Sequence, residues 1–400
     1  MTCSALFVAS NSVPARARNA CVRLAGMTFM LPTGKDYAGS LTDVVPSLLA
    51  SIGVESFKNS LELRGATSAV LVLVDGLGDE NLTAARGHAR FLLGTRNRRR
   101  VLRTVFPSTT ACALVSLMTG ETPGQHGVVG YRVLNPVSGA IVNQLTELDL
   151  APPDWMRSRT LAQQATGAAR VFVVGRAKFA DSALTRTVYR GAEYVPAESL
   201  AERFEKAAVV ARTPGRLVLV YASELDSAAH KFGVASSKWT EQLELLDAEL
   251  RDLRASLPSD VSVVVTADHG VLDVHSAEQI VFGAGALTQG VAHVGGEPRC
   301  LQLYLEPAAD IEVVLSAWQE AYSQVAHVLT RGQVMEQSLL GKVSDINSER
   351  MGDLFVITRE NVVFYDGRET NTAPQRMIGQ HGALSDIEMN IPLIELATGS

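Results

Sequence analysis

The sequence has few cysteines and no long apolar run, and each absence excludes a class of protein. Only four cysteines occur among 400 residues, without a Cys-x-x-Cys pair, at Cys3, Cys21, Cys112 and Cys300. This pattern indicates neither a disulfide framework nor a zinc site built from thiolates, and it fits a reducing compartment. No stretch approaches the roughly 18 consecutive apolar residues of a membrane-spanning helix, so we expect no transmembrane segment.

The sequence also lacks an excess of positive charge, since the formal net charge is −6. Proteins that bind the nucleic-acid backbone usually carry a basic surface, so we expect no obligatory nucleic-acid partner. The run from Arg96 to Arg103 is the exception. We interpret it as a solvated face or a loop before a strand, with a polyanion site as the alternative.

The first 35 residues lack a clear targeting signal. The apolar stretch from Leu24 to Leu31 follows three arginines but is interrupted by Gly26 and Thr28 and ends at Pro32. That is short and imperfect for a secretory signal. We therefore predict a disordered leader over residues 1–35 and a cytoplasmic location, with export by this leader as the alternative.

Short apolar runs alternate with longer helical patterns over residues 36–400, which is typical of βα units around a mostly parallel, buried sheet. Residues 239–257 place leucines at helical spacing and end before Pro258, so an amphipathic helix is predicted there. The strongest strand predictions are Val70–Val74, Val171–Val174, Leu217–Tyr221 and Val261–Thr266. The fold class expected from this alternation is α/β.

The composition changes after residue 270, where glycines become frequent. A strand is predicted there at Leu301–Leu305 and a helix at Ile311–Tyr322. The runs Leu354–Thr358 and Val362–Tyr365 are predicted to form a hairpin. We interpret residues 280–375 as a small inserted α+β subdomain. The chain then returns through Ile391–Leu396, which we expect to rejoin the main sheet.

Acidic and imidazole side chains stand where predicted strands end. Asp75 closes one strand, and Asp268 with His269 closes another. Carboxylate and imidazole are suitable ligands for zinc, magnesium or manganese. For Asp75 the structural alternative is the N-cap of a helix that begins near Asp79, and for Asp268-His269 it is a hydrogen-bonded turn.

Two further candidates follow in the chain. Asp226 and His230 are four residues apart, so one helical turn would place carboxylate and imidazole on the same face. An ordinary solvated helix pair has the same spacing. His381, which lies between Gln380 and Gly382, is uninformative by itself.

Thr110 begins a small and apolar segment that is predicted to be a helix. A hydroxyl at a helix N-terminus lies beside unpaired N–H groups, where phosphate binds readily. An N-cap function is the alternative, and Thr109 or Ser108 would satisfy it equally. A threonine hydroxyl is a poor nucleophile until a cation lowers its pKa.

Taken in order, these segments resemble the type I phosphodiesterase/nucleotide pyrophosphatase branch of the alkaline phosphatase superfamily. The resemblance extends from about residue 68 to the end of the chain. The matching motifs are Val74-Asp75-Gly76, Phe106-Pro107-Ser108-Thr109-Thr110, Pro123-x-x-His126-Gly127, Glu224-x-Asp226-x-x-x-His230-x-x-Gly233, Asp268-His269-Gly270 and His381-Gly382.

The resemblance implies a three-layer α/β/α sandwich with the alkaline phosphatase-like fold, and two divalent metal ions, normally zinc, with manganese or iron as possible replacements. It implies that Thr110 is the nucleophile, which forms a phosphothreonine intermediate. One metal would be held by Asp75, Thr110, Asp268 and His269, and the other by Asp226, His230 and His381. His126 belongs to the family pattern as a loop element. Thr109 is the alternative nucleophile.

The sequence departs from the pattern where relatives carry a phosphoryl-binding asparagine, because Tyr131 occupies that place. Tyr131 can donate one hydrogen bond, so we expect it to contact substrate, and the preference for diesters is open. The leading prediction is a phosphodiesterase or nucleotide pyrophosphatase that acts on a small phosphate ester or nucleotide.

Two alternative functions stay open, and a third is not indicated by the sequence. A phosphomonoesterase or phosphonate hydrolase with the same metals is one alternative, and an inactive binding protein of this fold is the other. A sulfatase is not indicated, because the Cys/Ser-x-Pro-x-Arg context is missing. The oligomeric state does not follow from the sequence.

Overall fold

The computed structural model describes residues 39–151, 155–283 and 285–397. The leader predicted over residues 1–35 lies outside the described residues. The strands in chain order are β1 (Ser68–Val74), β2 (Arg98–Arg103), β3 (Arg132–Asn135), β4 (Ala140–Asn143), β5 (Arg170–Gly175), β6 (Glu193–Pro196), β7 (Arg216–Ala222), β8 (Val261–Ala267), β9 (Leu272–Asp273), β10 (Gln279–Phe282), β11 (Val291–Glu297), β12 (Cys300–Leu305), β13 (Ala326–Thr330), β14 (Leu354–Thr358), β15 (Val363–Asp366), β16 (Gly379–Gln380) and β17 (Asn390–Glu395).

Helices connect most of these strands. In chain order they are α1 (Val44–Ser51), α2 (Asp79–Ala84), α3 (Thr110–Thr119), α4 (Pro123–His126), α5 (Leu161–Gln164), α6 (Ala183–Val188), α7 (Leu200–Ala211), α8 (Glu224–Phe232), α9 (Ser237–Ser256), α10 (Ile311–Tyr322), α11 (Arg331–Glu336), α12 (Asp345–Ser348) and α13 (Asp386–Met389). None of the helices in the described residues combines the length and apolar composition that a membrane crossing requires.

The main sheet has seven strands in the order β2-β17-β8-β1-β7-β5-β6. The strands from β8 to β6 pair in parallel, whereas β17 runs antiparallel to both of its neighbours. Every residue of β1 is buried, so helices cover both faces of the sheet. The predicted α/β class with a mostly parallel central sheet is therefore confirmed, and the last strand rejoins the sheet as predicted.

The helix predicted over residues 239–257 is α9. Ser236 caps its N-terminus by accepting a hydrogen bond from the backbone N–H of Trp239. Its buried side chains recur at helical spacing, namely Trp239, Leu243, Leu246, Leu250 and Leu253. This apolar stripe fixes the helix against the core behind the strands that carry the candidate site.

A second, antiparallel sheet has the order β11-β12-β14-β13. It has its own apolar cluster, in which α10 contributes the buried ring of Trp318. This sheet lies within residues 280–375, over which the sequence predicts an insert. The boundaries of that insert stay a prediction.

The hairpin predicted from Leu354–Thr358 and Val362–Tyr365 is wrong. Strand β14 pairs with β12 and β13, whereas β15 pairs in parallel with β10. Sequential strands with a short connection usually pair with each other. Here each strand pairs instead with strands from other parts of the chain. The two strands consequently belong to different sheets.

The arginine run enters the edge strand β2 after a turn at Arg96, and Arg98, Arg99 and Arg100 stay partly exposed, in line with the predicted solvated face or loop before a strand. Residues 98–103 form β2 at the edge of the main sheet, beside β17. Arg98 and Arg100 lie 3.3 Å and 3.5 Å from Glu395 Oε1, and Arg99 lies 2.6 Å from Asp79 Oδ1. These arginines therefore neutralise acidic groups of the protein itself, which removes the support for a polyanion site there.

Candidate functional site

The candidate site lies where three adjacent parallel strands end. In the register of the sheet, Val74 at the end of β1 is level with Ala222 of β7 on one side and with Ala267 of β8 on the other. The residues that follow these strands include Asp75, Asp268 and, in the first turn of α8, Asp226. Carboxyl ends of parallel strands are where open α/β sheets form their binding clefts.

One group of ligand-type side chains consists of Asp75, Asp268 and His269, and we call it the first ligand cluster. All three residues are buried. His269 Nε2 lies 3.4 Å from Asp75 Oδ1 and 3.4 Å from Asp268 Oδ2. Three ligand atoms thus face a common point.

The other group consists of Asp226, His230 and His381, and we call it the second ligand cluster. Asp226 Oδ2 and His230 Nε2 are 3.1 Å apart, as the four-residue spacing on α8 predicts. His381 follows the short strand β16 and completes the cluster from the far end of the chain. The structure therefore brings together all six side chains that the sequence singled out as candidate metal ligands.

The three histidines present the same nitrogen to the site. The Nδ1 atoms of His230, His269 and His381 lie 2.7 Å, 3.2 Å and 2.8 Å from the backbone carbonyl oxygens of Gly379, Gly270 and Ser108. A carbonyl only accepts a hydrogen bond, so each Nδ1 donates, and each Nε2 faces the site, where it offers a lone pair to a metal when the ring is neutral. This is the arrangement that metal-ligating histidines use.

The carboxylates divide their oxygens in a similar way. Asp268 Oδ1 accepts hydrogen bonds from the backbone N–H groups of Gly76 and His269, and Asp75 Oδ2 accepts one from the Tyr221 hydroxyl. Asp75 Oδ1, Asp226 Oδ1 and Asp268 Oδ2 are buried without a hydrogen-bond partner. Such orphaned oxygens are costly unless something else satisfies them.

Burial perturbs the pKa values of these groups. Burial, followed by the charges of Asp268 and Asp226, holds the pKa of Asp75 well above its usual value, and burial raises the pKa of Asp268 to about 6. Burial also lowers the pKa of His269 to about 4 and that of His381 to about 3. For Asp226, burial acts to raise the pKa, but the neighbouring His230 outweighs it and the pKa falls.

These observations fit two divalent cations. Zinc bonds of 2.0–2.1 Å at tetrahedral angles separate two ligand atoms by roughly 3.3 Å, close to the 3.4 Å spacings of the first ligand cluster. A cation would satisfy the orphaned oxygens, offset the mutual repulsion of the carboxylates and use the free Nε2 lone pairs. Oxygen and imidazole donors suit zinc and manganese or iron alike.

Thr110 is the first residue of α3 and is buried beside the first ligand cluster. Its Oγ1 lies 3.2 Å from His269 Nε2. Thr109 occupies the N-cap position without a side-chain cap bond, and the Ser108 hydroxyl donates to the carbonyl of Ala383. None of these hydroxyls therefore serves as a conventional helix cap.

The N-cap alternative for Asp75 fails in the structure. Helix α2 begins at Asp79, but its N-cap is Gly78, so Asp75 is not a cap. His126, by contrast, is a structural residue: it is buried, it pairs with the Ser116 hydroxyl, and its Nδ1 accepts the backbone N–H of Val128. It lies outside both ligand clusters.

Tyr131 lies at a cavity of about 390 Å³, formed between the β3–β4 hairpin and the end of β11. Glu297, the last residue of β11, lines the same cavity and is buried. Sequence reasoning missed Glu297 and Tyr221. The signal for Tyr221 was available, because it precedes Asp226 at the end of a predicted strand.

Arg299 was missed as well. It forms a buried, bidentate ion pair with Glu388, with both N–O distances at 2.8 Å. Glu388 Oε1 also accepts the backbone N–H of Ala383, two residues after His381. The tip of the β11–β12 hairpin is thereby tied to the loop that carries a ligand of the second cluster.

Comparisons with known proteins agree with this geometry. The sequence profile of the family described as type I phosphodiesterase / nucleotide pyrophosphatase matches residues 69–384. A direct search finds no match among curated protein sequences. Among solved structures, murine ectonucleotide pyrophosphatase/phosphodiesterase 5 superposes with a TM-score of 0.62 at 18% identity, covering 82% of this chain and 87% of that chain.

Phosphonoacetate hydrolase from Sinorhizobium meliloti, in complex with phosphonoformate, superposes with a TM-score of 0.64 at 21% identity, covering 83% of this chain and 90% of that chain. The human counterpart of the murine protein gives a TM-score of 0.62 at 16% identity, with 82% of this chain and 87% of that chain covered. At these identities the structural similarity shows a shared fold.

Proposed function

The chain belongs to the type I phosphodiesterase/nucleotide pyrophosphatase family, and from that membership we propose that it hydrolyses phosphodiester or pyrophosphate bonds of a small phosphate ester or nucleotide. Thr110 is the nucleophile in this proposal. The observation that carries it is the position of Thr110 Oγ1, at the start of α3 and 3.2 Å from His269 Nε2.

The six ligand residues would hold two divalent cations, which we propose to be zinc. Asp75, Asp268 and His269 would hold one together with Thr110, and Asp226, His230 and His381 would hold the other. When bound, these cations supply Lewis-acid chemistry, which lowers the pKa of the attacking hydroxyl and stabilises the charge of the leaving oxygen.

The first half of the reaction forms a covalent phosphothreonine intermediate. Thr110 Oγ1 loses its proton to solvent water and attacks phosphorus in line with the leaving oxygen, so that a new P–O bond to threonine forms as the bond to the leaving group breaks. The leaving oxygen takes a proton from water. Unpaired N–H groups in the first turn of α3 point toward the phosphoryl oxygens and stabilise their charge.

Water completes the cycle by attacking the phosphothreonine, which releases the phosphorylated product and restores the Thr110 hydroxyl. The tautomers of the histidines are fixed by their carbonyl partners, so the site is ordered before substrate arrives. Such preorganisation is a large part of electrostatic catalysis.

A phosphomonoesterase or phosphonate hydrolase is the second candidate. Tyr131, which lines the cavity in place of the asparagine that the family pattern favours, supports it. An aromatic side chain leaves less room for the second substituent of a diester, whereas a monoester or phosphonate needs no such room.

Initial rates on bis-p-nitrophenyl phosphate, p-nitrophenyl phosphate and phosphonoacetate separate the candidates, with the protein loaded with zinc, manganese or iron in turn. Faster diester turnover supports the leading proposal. Turnover of the monoester or phosphonate alone assigns the second candidate. No turnover of any of the three with any metal points to a binding protein that kept the fold.

A further inference from the structure

Arg254, in the last turn of α9, is a buried cation without a carboxylate partner among the described residues. Only 4% of the residue is exposed. Its two terminal nitrogens donate to the backbone carbonyls of Val261, Leu257 and Pro258, and its Nε is buried without a hydrogen bond. A guanidinium stays charged in proteins, so the fold buries a positive charge that no anion of the described chain neutralises.

Arg254 lines a cavity of about 420 Å³, which we call the arginine cavity. It lies between residues 90–97, the last turns of α9 and Ala397, which follows β17. None of the described residues that line it is acidic, and four of them are arginines, namely Arg90, Arg96, Arg251 and Arg254. Its volume is that of a small-molecule site. Positive charge is therefore concentrated here, although the chain has a net charge of −6.

Two of these arginines have donors available at the surface. Arg90 and Arg251 are exposed, and their Nε atoms donate to the carbonyl of Gly87 and to Asp252 Oδ1. Their terminal nitrogens make no hydrogen bond within the described part of the chain. The pair with Asp252 is exposed on both sides, so it is weak. Both guanidiniums can therefore donate to an anion that enters the cavity.

The charge of the arginine cavity is distinct from that of strand β2. Arg98 and Arg100 of that strand pair with Glu395, and Arg99 pairs with Asp79. None of these three arginines lines the cavity. Their neutralisation by acidic groups consequently leaves the cavity positive.

The arginine cavity lies at the opposite end of the main sheet from the ligand clusters. Arg254 donates to Val261, the first residue of β8, whereas Asp268 and His269 follow its last residue. The seven residues of this strand separate its two ends by roughly 20 Å. An anion in the cavity is therefore not the phosphoryl group that Thr110 is proposed to attack.

We propose that the arginine cavity is a second anion site, which binds a phosphate group, either free or carried by a small molecule. Phosphate supplies the counter-charge that Arg254 lacks. It also accepts charge-assisted hydrogen bonds from the terminal nitrogens of Arg90 and Arg251, whose planar guanidiniums match its geometry. This site is independent of hydrolysis at the ligand clusters.

The test is equilibrium dialysis of inorganic phosphate, and separately of AMP, with the metal-loaded Thr110→Ala protein. This substitution removes the proposed nucleophile, so the probes are not consumed. We expect two bound anions per chain, one at the ligand clusters and one in the arginine cavity. Adding Arg90→Gln and Arg251→Gln together removes two exposed charges. It should weaken the cavity site by at least about tenfold and leave the other site unchanged.

Arg159→Gln with Arg376→Gln, at exposed arginines outside the cavity, is the matched control and should retain both anions. If the cavity variant binds as many anions as this control, with the same dissociation constants, the inference is overturned. Tighter binding of AMP than of phosphate in the cavity assigns a phosphate carried by a larger molecule. Equal affinities assign free phosphate.

Failure of the proposed function gives a different result. If the ligand clusters bind no phosphate and the wild type hydrolyses no diester, the control is expected to bind one anion and the cavity variant none. One anion in both variants contradicts the cavity site alone.

Discussion

The imidazole ring of His381 stacks on that of His269, with ring centroids 3.7 Å apart and planes inclined by 15°. His269 belongs to the first ligand cluster and His381 to the second, so the two clusters are in direct contact through these rings. The contact joins two residues that are far apart in the sequence. Their Nδ1 atoms donate to different carbonyls, which holds the stacked rings in place.

His381→Ala is expected to lose one of two bound metals and to keep the other, because the remaining ligands of the first cluster are untouched. Elemental analysis after dialysis should give about one metal per chain, against two for wild type. His293→Ala, a substitution at an exposed histidine, is the control and should retain two. Retention of both metals by His381→Ala would remove His381 from the ligand set.

Tyr221→Phe tests a group that acts on a ligand without touching metal. Its hydroxyl donates to Asp75 Oδ2, which orients the carboxylate. Loss of such a hydrogen bond typically weakens metal affinity by about 10–100-fold, measurable by chelator competition. Tyr194→Phe removes a hydroxyl that donates to the carbonyl of Arg176 and is the matched control. Equal affinities in the two variants would contradict the assigned role.

Arg299→Ala is expected to destabilise the protein strongly. The Arg299–Glu388 pair is almost fully buried, and removing one partner leaves a buried charge, which costs about 3–5 kcal/mol. Urea unfolding of the metal-free protein measures the change in unfolding free energy. Arg251→Ala breaks an exposed pair with Asp252 and should change it by less than about 1 kcal/mol. If Arg299→Ala lowers the unfolding free energy no more than Arg251→Ala does, the buried pair does not contribute to stability as expected.

Glu297→Gln is expected to stabilise the metal-free protein increasingly as pH rises. The pKa of Glu297 is about 8 in the fold, above its ordinary value of 4.5. The unfolded chain therefore loses this proton first, and stability falls as pH rises between these values. Glutamine does not titrate, and other groups titrate alike in both proteins.

The measurement is the difference in unfolding free energy between Glu297→Gln and wild type at pH 5 and pH 8.5. It should grow by at least about 1 kcal/mol toward the higher pH. A constant difference would mean that Glu297 ionises normally in the fold.

Much of the main sheet could be predicted from sequence, because buried parallel strands are continuous apolar runs. The predicted strand Val70–Val74 is part of β1, and helix Ile311–Tyr322 has the predicted bounds. Short-range rules identified five of the six candidate ligand residues: a strand end for Asp75, Asp268 and His269, and a helical turn for Asp226 and His230. His381 was identified only through the family resemblance.

Long-range pairing could not be predicted in the same way. The partners of β14 and β15 are set by apolar surfaces of distant strands, so their proximity in sequence was misleading. Glu297 gave no signal, since an acidic residue among glycines normally marks an exposed turn. Its burial depends on how the tip of the β11–β12 hairpin packs against the Gly382 loop, which no local pattern records.

The proposed threonine nucleophile is tested most directly by measuring metal content and diester hydrolysis together on wild type, Thr110→Ala and Thr109→Ala. We expect about two metals per wild-type chain, and loss of turnover by about a thousandfold or more in Thr110→Ala with metal retained. Thr109→Ala should remain active. Turnover by Thr110→Ala within about tenfold of wild type, or loss of activity in Thr109→Ala alone, would contradict the assignment of Thr110 as the nucleophile.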